Sequence, residues 1–272
     1  MNRIIVITIL LLFAKITFAQ NIDQSRVPAV VLNTFQLKFP NADDVKWKKD
    51  KNDYKIYFKI NNKENKLTLN YKGNVLEHSQ DLYISEIPKV VLETIKSRVP
   101  YFDIQDADKY EKSNRITYEI KFKIDGKYRF FWINDKGELL KYRQELKDSE
   151  IPSTISNLIK NNYGKIDIDY SKYVEERGEI IYIVDGEIND EDHNFRFDDK
   201  GNIIKHIHDI KHASIPDSVI KTIASEFKDF DIKDADFIEE KGKSYYYLRM
   251  KKSKNQVYVT FDENGKVLKV KS

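Results

Sequence analysis

The sequence contains no cysteine, only nine glycines and six prolines in 272 residues, and no strong excess of either charge. The absence of cysteine excludes disulfide bonds, thiolate metal sites and a cysteine nucleophile, so packing alone must hold the core. Lys and Arg number 47 against 44 Asp and Glu, a net charge of +3, which argues against a strongly cationic nucleic-acid binder. With 40% hydrophobic and 33% charged residues, the chain is neither a disordered tail nor a multi-span membrane protein.

The few glycines leave no phosphate-binding loop. Four of the nine close turns that recur along the chain, and the other five lie beside predicted strands or at a helix end. No GxGxxG, Walker, GxSxG or HExxH motif occurs in the sequence. The sequence therefore predicts a protein that is not an enzyme and holds no cofactor. A pair of carboxylates acting in a cleft is the enzymatic alternative.

The one long apolar run lies at the N-terminus. Residues 1–19 combine Arg3, an apolar stretch that ends before Lys15, and the small residues Thr17 and Ala19, the pattern of a secretory signal peptide cut after Ala19. The stretch is shorter than the roughly 20 apolar residues that span a bilayer, which leaves a membrane anchor as the weaker alternative. Because the chain has no cysteine, it is not a lipoprotein. We expect a periplasmic or secreted protein of net charge +1, without a membrane span after cleavage and without a nucleic-acid partner.

A repeat of 64 residues organises the chain. Glycines that each close a polar four-residue turn recur at this spacing, as Gly73, Gly137, Gly201 and Gly265. Aliphatic–proline pairs mark the start of each unit, as Val27-Pro28, Ile87-Pro88, Ile151-Pro152 and Ile215-Pro216. We therefore predict four tandem repeats, at residues 27–86, 87–150, 151–214 and 215–272.

Each repeat is predicted to begin with a helix. Apolar residues follow the proline at every fourth position, as Ile87, Val91 and Ile95 do in the second repeat, which indicates one helical stripe facing a core. Proline suits the first helical turn, where no amide donor is needed. The helix of the second repeat is expected to end near Pro100.

The second half of each repeat has the period of a strand. Apolar and polar residues alternate from Arg115 to Ile124, which indicates a half-buried antiparallel strand. The pair Asp125-Gly126 predicts a hairpin turn into a second strand at 128–133, and a third strand follows at 138–146. A repeat is thus a helix followed by a meander of three or four strands.

The fold class that follows is α+β. A helix and a sheet that are each apolar on one side must cover each other. We therefore predict four tandem helix-plus-antiparallel-meander repeats, with the helices packed on one face of antiparallel sheets. The other face is left to solvent or to a partner.

Two domains are predicted after the signal peptide, at residues 20–150 and 151–272. A single repeat buries too little surface to be stable alone, which favours pairs of repeats that share a sheet. The connectors at 102–108 and 230–236 match each other closely and support a doubled period. These Asp-rich connectors are predicted to form solvated turns rather than calcium sites, because they lack the glycine and glutamate of a calcium loop.

Four aromatic side chains are expected on the face opposite the core. They are candidate partner-binding residues: Tyr57, Trp132, Tyr245 and Tyr247. Tyrosine and tryptophan between basic residues are typical of the centre of a protein interface. Cross-strand aromatic pairs that only stiffen a solvated sheet are the alternative explanation.

The histidines suggest an alternative function as a periplasmic metal-binding protein. The candidate ligands are His193, His206, His208 and His212. His206 and His208 share one face of a predicted strand, and His193 lies on the preceding strand, a grouping that suits Zn²⁺ or Cu²⁺. The competing interpretation makes them surface residues, because other repeats carry His, Tyr or Gln at the positions of His206 and His208.

The string FPNADDVKW, from Phe39 to Trp47, together with Val27-Pro28 and the Gly73 turn, resembles the PepSY-like, beta-lactamase-inhibitor-like exported proteins of Bacteroidetes. The resemblance spans the repeats, although later repeats lack a tryptophan at the position of Trp47. It implies a helix on a curved sheet, a location in the cell envelope, and binding to a protein there or outside the cell. It further suggests inhibition of a hydrolase or peptidase, and it carries no catalytic residues.

Overall fold

The computed structural model describes residues 20–271, so the predicted signal peptide and its cleavage after Ala19 lie outside the described residues. Four α-helices occur in this part of the chain: α1 Ala29–Lys38, α2 Lys89–Arg98, α3 Ser153–Asn162 and α4 Asp217–Glu226. Its strands are β1 Gln20–Ile22, β2 Asp43–Asp50, β3 Asp53–Ile60, β4 Lys63–Asn70, β5 Val75–Asp81, β6 Ile104–Lys112, β7 Arg115–Ile124, β8 Lys127–Asn134, β9 Leu139–Glu145, β10 Asp167–Glu176, β11 Glu179–Ile188, β12 Glu191–Phe197, β13 Ile203–Asp209, β14 Asp231–Glu240, β15 Lys243–Lys252, β16 Asn255–Asp262 and β17 Val267–Lys271. No helix within this part is both long and apolar enough to cross a membrane.

Each repeat consists of one helix of 10 residues followed by four strands. From β1 to β13 every strand pairs antiparallel with the next one along the chain. In the fourth repeat, β15 pairs with β16 and β16 with β17 in the same way. The predicted α+β class with tandem helix-and-meander repeats is confirmed.

The chain forms two compact units. Among the described residues, one comprises 20–208 with 239–243, and the other comprises 209–238 with 244–271. The first unit therefore contains α1 to α3, and the second contains α4. The domain boundary expected near residue 150 stays a prediction.

Every repeat has its own core between its helix and one face of its strands. In the second repeat, Val91 and Ile95 of α2 pack with Ile120, Phe122 and Phe131, and all five are fully buried. Equivalent clusters form in the other three repeats. Burial of a side chain of this size stabilises the fold by about 1.5–3 kcal/mol, which explains why the inward positions of the strands are apolar.

The prolines stand just outside the helices rather than within their first turn. Pro88 has an extended backbone with φ −58° and ψ 141°, and α2 begins at the next residue. Its carbonyl oxygen accepts hydrogen bonds from the amides of Val91 at 3.0 Å and Leu92 at 3.2 Å. Proline is therefore the N-cap residue, because its carbonyl, and not its missing amide, is what the helix needs.

The Asp-rich connectors are strands, which corrects the expectation that they are turns. Asp106 and Asp108 lie in β6, and the matching aspartates of the fourth repeat lie in β14. Ala107, between the two aspartates, is 3% exposed and belongs to the core of its repeat. The buried alanine between two outward carboxylates is the alternation expected of a strand. The acidic composition of the segment hides this pattern in the sequence.

Candidate functional site

The sheet of the second repeat has a face that no helix of its repeat covers. In β8, Phe131 and Ile133 point to the core beneath α2 and are fully buried. Because side chains alternate along a strand, Tyr128, Phe130 and Trp132 point to the opposite face, where they are half-buried. We call this side of the sheet the open face.

Three aromatic rings form a row along β8 on the open face. The ring centroids of Tyr128 and Phe130 are 6.0 Å apart. Phe130 and Trp132 stack with an interplanar angle of 13° and a centroid distance of 5.9 Å. The row is a preformed apolar strip, since residues two apart on a strand are held at fixed spacing.

Basic side chains border the aromatic row on both sides. From β9, the guanidinium of Arg143 lies 3.7 Å from the centroid of Phe130, and Lys141 lies 5.3 Å from that of Trp132. From β7, Lys121 and Lys123 approach Tyr128 at 4.7 Å and 4.2 Å. These cation–π contacts follow from the strand register, in which Lys121, Phe130 and Arg143 lie side by side. The aromatic–basic surface is defined as Lys121, Lys123, Tyr128, Phe130, Trp132, Lys141 and Arg143.

The positive charge of this surface is only partly neutralised. Trp132 donates its indole N–H to the Glu119 carboxylate at 2.9 Å, and Lys141 pairs with Glu176 at 2.9 Å. Lys121, Lys123 and Arg143 form no ion pair with a carboxylate of residues 20–271. A shallow groove of about 720 Å³ runs beside Trp132 and Lys141. The surface can therefore accept a ligand that brings its own carboxylates.

Carboxylates line the neighbouring strands of the same face. Asp81, Asp108 and Glu119 lie side by side on β5, β6 and β7. Burial, followed by the charges of Asp106 and Asp81, raises the pKa of Asp108 to about 7. These three carboxylates form an acidic row that borders the aromatic–basic surface on one side. The open face is therefore negatively charged along this row and positively charged around the aromatic rings.

The other aromatic residues predicted to bind a partner also lie opposite their cores. Tyr57 of β3 lies between the ammonium groups of Lys48 and Lys66, at 5.1 Å and 5.9 Å. In the other compact unit, Tyr247 stacks on Tyr258 at 5.9 Å, and Tyr245 is on the same side of β15. Trp132 alone among the four predicted residues is part of the aromatic–basic surface.

Three of the four predicted metal ligands come together in the third repeat. The ring centroids of His193, His206 and His208 are separated by 4.9 to 5.2 Å. His212 lies in a short 3-10 helix before α4, in the other compact unit. His193 is 8% exposed and His206 only 1%, so the surface interpretation of these two residues is wrong. Both face the core side, where the ring of His206 stacks on Phe195 at 4.1 Å.

A hydrogen-bonded chain fixes the orientation of the two buried histidines. Nδ1 of His193 lies 3.0 Å from Nε2 of His206, and Nδ1 of His206 lies 3.0 Å from the Glu239 carboxylate. Burial lowers the pKa of His193 to about 4, helped by the neighbouring His208 and His206. Burial also lowers the pKa of His206, against the opposing effect of Glu239. Burial therefore disfavours the charged form of both rings.

Glu191 joins His193 and His208 in a group of metal-ligating side chains, although it is not among the ligands predicted from the sequence. A donor atom of Glu191, one of His193 and one of His208 all lie within 4.8 Å of one another. Glu191 and His193 are two residues apart on β12 and so share a face. That spacing was the available signal. Glu239 gave no such signal, because it comes from the next repeat.

Solved structures of Bacteroides proteins are similar to parts of this chain. A DUF2874 family protein from Bacteroides ovatus is 22% identical, with a TM-score of 0.38, over 46% of this chain and 94% of that one. A BLIP-like protein from Bacteroides fragilis is 19% identical, with a TM-score of 0.37, over 45% and 91%. A periplasmic protein of unknown function from Bacteroides vulgatus is 18% identical, with a TM-score of 0.30, over 48% and 99%. No curated protein matches the chain.

One family model matches the sequence four times, at residues 16–77, 62–141, 130–205 and 203–269. Its description is beta-lactamase-inhibitor-like, PepSY-like. The successive matches follow the four repeats, and together they span nearly the whole chain. The resemblance inferred from the FPNADDVKW string is confirmed: the chain belongs to the PepSY-like, beta-lactamase-inhibitor-like family.

Proposed function

We propose that this protein is an exported, non-enzymatic binding module that docks a partner protein on the aromatic–basic surface. The observation that carries the proposal is the row of three open-face rings flanked by cations, of which Lys121, Lys123 and Arg143 have no carboxylate partner in the described chain. Aromatic and arginine side chains are the residues that contribute most at protein interfaces. The signal-like N-terminus supports export.

The partner segment is proposed to be acidic. Carboxylates placed over Lys121 and Arg143 would supply the counter-charges that the surface lacks, while an apolar residue packs on Phe130. The family description supports an envelope hydrolase or peptidase as the class of partner. Binding to the acidic segment of such an enzyme would inhibit the enzyme only if the segment borders the enzyme's active site. Tyr57, Tyr245 and Tyr247 are proposed as further contacts outside this surface.

The test uses defined peptides of equal length, one rich in Glu and Leu, one in Lys and Leu, and one in Ser and Leu. Fluorescence anisotropy with the full mature chain is expected to detect binding of the acidic peptide only. Removal of Trp132 and Phe130 together by alanine should weaken this binding about 30-fold or more, because hot-spot aromatics contribute at least 2 kcal/mol. Added salt should weaken it as well.

Tyr101→Ala is the matched control for this experiment. Tyr101 belongs to the same repeat and is 88% exposed, but it lies in the loop between α2 and β6. Its replacement should leave the affinity for the acidic peptide unchanged. Equal binding of all three peptides, or equal losses in Tyr101→Ala and in the double variant, would refute the proposed surface.

A further inference from the structure

The histidine cluster of the third repeat lies on the core side of the sheet and does not overlap the aromatic–basic surface. We propose that Glu191, His193 and His208 bind one zinc ion, with His206 as a positioning residue. The proposal does not depend on the protein-binding role. It rests on the placement of three donor side chains on two paired strands.

The strand register brings the three ligands together. His193 of β12 lies directly opposite His208 of β13, and Glu191 precedes His193 by two residues on the same face. Their donor atoms lie within 4.8 Å of one another. Ligand atoms at 2.0–2.1 Å around tetrahedral zinc are about 3.3 Å apart. The donor atoms therefore need to approach one another by at most about 1.5 Å, a movement within the range of side-chain rotation.

The hydrogen-bonded chain from His193 through His206 to Glu239 orients the His193 ring for metal binding. A carboxylate only accepts hydrogen bonds, so Nδ1 of His206 donates to Glu239. A metal on Nε2 of His193 requires the proton on Nδ1, and Nε2 of His206 lies 3.0 Å away, where it can accept that proton in a hydrogen bond. This tautomer leaves the lone pair on Nε2 of His193 for the ion. Zinc-binding histidines are commonly oriented by a hydrogen bond of this kind from the other ring nitrogen.

The donor set favours zinc among the common divalent ions. Two imidazoles and one carboxylate suit zinc, with a fourth position left for water. Calcium and magnesium prefer sites built from oxygen ligands. The chain has no cysteine thiolate to compete for the ion.

The first and second repeats provide an internal comparison. The positions of His193 and His208 are occupied in the first repeat by Asn65 and Gln80, which lie opposite each other on β4 and β5. In the second repeat they are occupied by Arg129 and Gln144, on β8 and β9. Amides and guanidinium groups are not zinc ligands, so the site is a property of the third repeat within this comparison. Because the first two repeats carry glutamine at the position of His208, the fold is expected to accept the substitution His208→Gln.

The test is calorimetric titration of the full mature chain with zinc chloride, paired with thermal unfolding. The wild-type protein should bind one zinc ion and unfold at a higher temperature with zinc, because an ion that binds only the folded state stabilises it. His208→Gln and Glu191→Gln should each weaken binding by at least tenfold and reduce the thermal shift. His206→Gln should weaken binding by about 10- to 100-fold, as expected of a residue that orients a ligand.

His212→Gln is the control, because His212 is not one of the three proposed ligands and its loss should change nothing. Circular dichroism establishes that each variant is folded before titration. The proposal is overturned if wild-type protein binds no stoichiometric zinc. It is equally overturned if His208→Gln and Glu191→Gln bind zinc as tightly as the wild type, or if only His212→Gln loses binding.

Discussion

Replacement of Phe131 by alanine is expected to lower the free energy of unfolding by about 3–5 kcal/mol. Phe131 is fully buried beneath α2, and its ring lies 5.6 Å from Phe122 and 4.6 Å from Tyr142. Truncation removes apolar burial and leaves a cavity that the surrounding strands cannot fill. Urea unfolding followed by circular dichroism measures the loss.

The adjacent Phe130 is the matched control, because it is the same residue type on the same strand but points to the open face. It loses contacts with Trp132 and Arg143 when truncated, for an expected cost of about 1 kcal/mol. Phe130→Ala should therefore remain folded and stable while it loses acidic-peptide binding. A cost as large as that of Phe131→Ala, with peptide binding retained, would favour the view that the aromatic row only stiffens the sheet.

Gly137→Ala is expected to destabilise the protein by about 2–5 kcal/mol, the sum of a backbone and a packing cost. Gly137 has φ +84°, and an added Cβ would clash with a methyl group of Val90 on α2. Its carbonyl oxygen also accepts a hydrogen bond of 2.7 Å from the Thr94 hydroxyl. The turn is thus packed directly against the helix, and its movement would disturb that contact. Thermal unfolding measures the change.

Gly126→Ala separates the two contributions. Gly126 belongs to the same repeat and has φ +81°, but an added Cβ there meets nothing within 4 Å. Only the backbone cost of about 1–2 kcal/mol is expected. Equal destabilisation by the two substitutions would mean that the turn at Gly137 does not rest on its helix.

The repeat architecture was predictable because its signals are local. Gly137 and the equivalent glycines of the other repeats have a left-handed backbone and lie against a helix. Only glycine adopts this arrangement without strain, and the 64-residue spacing is therefore visible in the sequence. Asp125-Gly126 marks a hairpin by its two positive φ angles, 49° and 81°. The strand expected from Arg115 to Ile124 was confirmed with the same ends.

The remaining features depend on relations that one stretch of sequence does not contain. The acidic strand β6 resembled a turn in composition, because the buried Ala107 is too small to mark an apolar period. Trp132 was predicted on the open face from its own strand. The same alternation places Phe130 beside it, because the two residues are two apart on β8. The cation Arg143 follows only from the register of β8 with β9. For the same reason Glu239 was missed as the partner of His206.

The two tryptophans of the chain allow the most direct test of the central claim, that the sheet has one face closed by helices and one open face with a basic aromatic surface. Trp47 is 4% exposed in the core of the first repeat, whereas Trp132 is half-buried on the open face beside Lys141. Single-tryptophan variants, Trp47→Phe and Trp132→Phe, are compared by fluorescence quenching with iodide and acrylamide. The account predicts that emission from Trp132 is quenched several-fold more strongly than that from Trp47 by both agents. Equal quenching of the two residues, or stronger quenching of Trp47, would contradict it.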